Sequence, residues 1–118
     1  GGANFIAYLF ATLPGISKVG SYNGSSSDIN IDCGFTNGAR FVLIKRTDYS
    51  GDWMVWDSTR GINPNNGGSD PYLALNGGAE EVTNTDHIDP LSTGFTVKTA
   101  ASNLVNGTGK TFIFLAIA

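Results

Sequence analysis

With 118 residues, 41% of them hydrophobic, the chain is long enough for one domain with a substantial core and too apolar to be intrinsically disordered. Net charge is −3 and charged residues make up only 14%, with the seven Lys and Arg residues scattered, which excludes the basic stripe of a nucleic-acid-binding surface. No apolar run approaches the roughly 20 residues of a membrane-spanning helix, and the first segment lacks the positively charged start of a signal peptide.

The first stretch after three small residues is "NFIAYLFA" (4–11). Alternation along a strand puts Phe5, Ala7, Leu9 and Ala11 on one face and Ile6, Tyr8 and Phe10 on the other, so both faces are apolar. A strand over 4–12 is expected, ended by the turn "TLPG". Because the chain starts at Gly1 and not at Met, processing or excision from a longer chain is expected as well.

Further strands are expected near 16–22, 28–34, 39–47, 52–58, 71–75, 94–100 and 110–118, each bounded by Gly, Asn, Asp or Pro. "ARFVLIKR" carries Phe41, Leu43 and Lys45 on one face and Val42, Ile44 and Arg46 on the other, which suits an inner strand. "GDWMVWDS" places Trp53 and Trp56 on opposite faces, so one indole faces outward as a candidate ligand platform for sugars or aromatic groups. "GFTVKTA" reads as a half-buried strand with one wet face, with Phe95, Val97 and Thr99 on one side and Thr96 and Lys98 on the other. "GGAEEVTN" could form one helical turn; no segment has a sustained helical period.

The whole is an all-β pattern: an antiparallel β-sandwich, jelly-roll or immunoglobulin-like, of about eight strands, with a closed barrel as the alternative. It divides into a linking or donor strand, 1–12, and a sandwich domain, 13–118.

Little in the chain carries chemistry. Cys33 is alone, so no internal disulfide forms, and it reads as a small buried thiol. The single histidine, His87 in "NTDHIDP", has no second His or Cys nearby to make a zinc site and is expected in a loop or at a strand edge. The loops "INPNNGGSDP" and "NGSSSD" hold enough side-chain oxygens for calcium but lack any EF-hand spacing, and turn formation explains them. "NGTGKT" leads into a strand and not a helix, so it is no phosphate loop. Ten acidic residues form no recognisable catalytic pair. No enzyme activity, cofactor or metal is expected. Two sequons, at Asn23 and Asn106, are candidate glycosylation sites.

The last stretch, "TFIFLAIA" (111–118), repeats the first at an offset of 107: Phe5 matches Phe112, Ile6 matches Ile113 and Ala11 matches Ala118. Phe112, Ile113, Phe114, Leu115 and Ile117 form the C-terminal strand, and residues 5–11 read as a surplus copy of it. Taken together, "GISKVGSYNG", "FVLIKRTDYSGDWMVWDSTRG", "LSTGFTVKTA" and "GKTFIFLAIA" resemble a repeat domain of unknown function in tail-fibre-type structural proteins of marine bacteriophages. The resemblance implies a virion-surface or extracellular fibre context and transfers no catalytic residue. The expected role is a structural subunit of a filament, a phage fibre or a pilus-like polymer. It would partner itself head to tail by inserting its N-terminal strand into the neighbouring unit. The alternative is a glycan- or receptor-binding module of a tail fibre, with a cell-surface glycan as partner.

Overall fold

A computed structural model describes residues 1–62 and 69–118. Among the described residues there are eight strands: β1 (Ser17–Asn23), β2 (Ile29–Asp32), β3 (Phe41–Arg46), β4 (Trp53–Asp57), β5 (Leu73–Ala74), β6 (Ile88–Leu91), β7 (Gly94–Val97) and β8 (Thr111–Ile117). They form a five-stranded sheet in the order β1-β8-β3-β4-β5 and a three-stranded sheet in the order β2-β7-β6, antiparallel throughout. The fold is a β-sandwich, in which β1 pairs with β8 in one sheet and β2 with β7 in the other.

Register fixes which side chains face inward. Across the larger sheet, Gly20, Phe114, Ile44 and Met54 lie side by side in one row, and Lys18, Ala116, Val42 and Trp56 in the next. Residues of these rows on the three inner strands are buried, Val42, Ile44, Trp56 and Ala116 completely. The smaller sheet closes the core from the other side with Ile88, Phe95 and Val97, assisted by Ile29 and Ile31. Phe95 meets Phe114 edge to face with centroids 5.4 Å apart, and Tyr22 stacks on Phe112 at 5.1 Å. Aromatic pairs in these offset geometries add to the area they bury.

β3 is an inner strand and β7 half-buried, as their patterns predict. The strand expected at 4–12 is absent: residues 1–12 join no ladder longer than the single bridge of Leu13 with Ser17 next to them. A further strand, β6, forms although Asp89 and Pro90 break its apolar pattern. β6 forms at an edge, where the missing N–H of Pro90 is tolerated. No helical turn forms at 77–84; Val82 bridges Tyr72 instead, and the described helical element is the 3₁₀ turn Thr99–Ala101.

Around that turn the long connection to β8 is pinned by Asn106, which is fully buried. Its Oδ1 accepts the Ser25 N–H at 2.8 Å, and its Nδ2 donates to the carbonyls of Ser27 and Lys98 at 3.1 Å each. The Tyr22 hydroxyl donates to the Val105 carbonyl at 2.6 Å, and burial pushes the Tyr22 phenol well above its ordinary range.

Candidate functional site

The N-terminal segment is the feature that the fold leaves unaccommodated. Phe5, Ile6, Tyr8 and Leu9 are between 83% and 93% exposed and Phe10 is 59% exposed. Single exposed apolar side chains are ordinary in soluble domains; five large ones within six residues are not.

The segment is oriented by the turn that follows it. Pro14 and Gly15 occupy the middle of the turn Leu13–Ile16, closed by the Ile16 N–H donating to the Leu13 carbonyl at 3.0 Å. Gly15 has φ 73°, the left-handed conformation that the third residue of a type II turn requires. Beyond the turn, the Ser17 hydroxyl donates to the Ala11 carbonyl at 2.8 Å and the Val19 N–H donates to Thr12 Oγ1 at 3.2 Å. These contacts hold residues 11–13 against the free edge of β1. Residues 1–10 precede these contacts and join no strand.

Tyr8 and Phe10 come to rest at the rim of a concave patch of about 390 Å³ on the outer side of the larger sheet, with Val19, Leu43, Trp53, Ile113 and Leu115 among its lining residues. This outer face is unusually apolar: register sets Val19, Leu115, Leu43, Val55 and Leu73 in one continuous row across all five strands. The outer face of the smaller sheet is polar by contrast. There Thr96 bonds Asn30 at 2.8 Å, and Lys98 reaches Asp28 at 2.8 Å and Asp89 at 3.0 Å. Hydrogen bonds from Lys98 and Thr99 hold the Asp28 carboxyl down at about 2.

The two tryptophans separate as predicted. Trp56 is in the core and Trp53 is 40% exposed on the outer face. The lining around Trp53 is largely apolar, and beside it Asn76 accepts the Trp53 backbone N–H and donates to Asp52, each at 2.8 Å.

Phe112 and Phe114 point into the core, and Ile113, Leu115 and Ile117 line the outer side of β8, the second strand of the sheet. The sequon asparagines differ. Asn23 is exposed at the end of β1, whereas Asn106 is buried with both amide atoms engaged, so it offers no glycan attachment in the folded chain.

Cys33 is a buried free thiol, pushed up by burial to about 11. His87 is buried beside Trp56 and Tyr72, with ring centroids 6.4 and 5.5 Å away, and burial lowers its pKa against the opposing charge of Asp86. Among the described residues, one carboxylate cluster is close enough to face a common point: Asp70, Asp86 and Asp89, within 4.8 Å. Asp70 is bound into the fold, its Oδ2 accepting the His87 and Ile88 N–H groups at 3.2 and 3.4 Å, and Asp89 pairs with Lys98. Most of the Asn-rich loop singled out for its oxygens, 63–68, lies outside the described residues.

The exposed segment is marked in the sequence by its duplication of the C-terminal strand. The apolar outer face is not, because alternation shows that a strand has two apolar sides without showing which neighbours cover each.

No curated protein and no solved structure matches the chain significantly. A family model does, over residues 1–118, and the chain belongs to that family, the domain of unknown function DUF7483.

Proposed function

We propose that this domain is a structural subunit of an extracellular fibre, of phage-fibre or pilus-like kind, joined head to tail to neighbouring units of the same fold through residues 4–11. The observation that carries the reading is a segment with the apolar pattern of a sheet strand whose large side chains stand in water beside a completed sandwich. A strand of that composition gains by entering a sheet, and donor-strand addition supplies both the ladder and the apolar pockets. The contact is heterologous, and where each unit takes its closing strand from its neighbour and the rotation does not close, it propagates as an open filament. The resemblance to phage fibre repeats and the low charge of the chain, 14% charged residues, fit the same setting.

The test is a tandem chain in which residues 1–118 are followed twice by residues 12–118, so that each β8 runs directly into the next "TLPG" turn. Electron microscopy is expected to show stiff rods with one constant unit spacing. Folded beads at variable spacing would overturn the fibre reading. Binding of the single domain to a glycan array, with rods absent, would favour the adhesive alternative.

A further inference from the structure

The fold allows a sharper statement about the unit that receives residues 4–11, resting on the reading above. The edges available on the described body are poor acceptors. The free edge of β1 is occupied at its start by Leu13, which bridges Ser17, and by Thr12, which takes the Val19 N–H. β5 is two residues long, β6 contains Pro90, and β2 is a four-residue strand with Asn30 and Asp32 exposed. The position whose pattern the segment does match is that of β8, between β1 and β3. In an intact copy β8 itself fills it.

Laying the segment on β8 at the offset of 107 shows how well it would fit there. The inward positions of β8 are Phe112, Phe114 and Ala116, and the segment offers Phe5, Ala7 and Leu9. Phe5 repeats Phe112. The next two positions are exchanged in size: Ala7 falls where Phe114 stands and Leu9 where Ala116 stands.

Both places are tightly determined in this chain. The Phe114 ring lies directly over Gly20, where an added Cβ would be 2.8 Å from Cε1 and Cζ. Ala116 is fully buried in the row that Lys18, Val42 and Trp56 complete. In this body the segment would therefore leave a void above Gly20 and crowd the row beside Trp56, and close-packed interiors accept neither without loss.

We propose that the partner of residues 4–11 is a domain of the same sandwich fold that lacks its own last strand, carries a side chain where this chain has Gly20, and has more room beside the place of Ala116. An intact copy of this chain is not that partner. Its position is filled by β8, and its packing suits the Phe114–Ala116 order and not the Ala7–Leu9 order. The small residue at 20 and the large one at 114 form a matched pair, and the segment is shaped for the reverse match.

The experiment adds a second body, residues 12–110, directly ahead of residue 4 of the full chain, so that residues 4–11 are the only closing strand that body has. A control carries 111–118 in place of 4–11, which restores the natural strand. Calorimetry is expected to show the added body unfolding well below the control, by roughly 10 °C or more. The double substitution Ala7→Phe and Leu9→Ala in the segment is expected to recover most of the difference.

Equal stability of the unmodified segment and the doubly substituted one would overturn the size-matching argument while leaving strand donation standing. Failure of both segments to close a body that 111–118 does close would overturn strand donation itself. In parallel, the unmodified 118-residue chain is expected to sediment as a monomer at micromolar concentration, and polymers formed by it alone would overturn the exclusion of an intact copy.

Discussion

Gly20 shows how far one residue can be argued from its surroundings. Its backbone is ordinary strand, so the reason for glycine is space: Phe114 occupies what would be the side-chain position, and that ring is itself held by Phe95 and Tyr22. Gly20→Ala is expected to cost about 1–3 kcal/mol by overpacking, read as a lower midpoint in urea with unchanged slope. Phe114→Leu in the same background is expected to return part of the loss. If Gly20→Ala is neutral or stabilising, because a strand prefers alanine to glycine, then the ring is free to move aside.

At the scale of the element, the three-stranded sheet adds a charged cluster on its outer face to the packing of its inner one. Asp28 accepts from Lys98, from the Thr99 N–H at 2.7 Å and from the Thr99 hydroxyl at 2.5 Å, tying the approach to β2 to the end of β7. The carboxyl titrates at about 2 in the folded chain, lowered by these bonds from an ordinary value of 3.8. A lowered carboxylate pKa means that the unfolded chain binds the proton first. The stabilisation is therefore complete above about pH 4 and is lost as pH falls through about 2. Thermal melts of Asp28→Asn are expected to show a lower midpoint at neutral pH and a flatter dependence between pH 4 and 2 than the parent. Asp28 is exposed and Lys98 partly so, and solvent screening should keep the difference at neutral pH modest.

Several elements were legible one at a time. The apolar centre of 41–44 identified β3, and the period of two in 95–98 identified β7. The segment 4–12 carried the same local signal and forms no strand, because a strand needs a partner ladder and β8 already fills the one position that its pattern matches. β6 carried a poor signal and forms one, because pairing with β7 satisfies a backbone that its side chains do not advertise.

For the whole molecule, the separation of a finished sandwich from an unfinished segment predicts that the two can be uncoupled. Removing residues 1–10 spares the Thr12 and Leu13 contacts to β1 and the entire core. The truncated chain is expected to melt within about 2 °C of the parent and to remain soluble at higher concentration, measured by scanning calorimetry and light scattering. A large drop in melting temperature would mean that Tyr8 and Phe10 act as a cover for the outer face of the chain's own sheet.

The sequence by itself determined the class of fold, the single core, the opposite faces of the two tryptophans, and the duplication at the two ends, since all of these follow from periodicity and composition within short windows. Tertiary structure alone decided that β8 lies between β1 and β3, that Asn106 is buried while Asn23 is not, and that Gly20 and Phe114 share one volume. The reason is that ladder partners and packing volumes are contributed by residues far apart in the chain, and nothing in the local pattern of either strand records which distant neighbour will complete it.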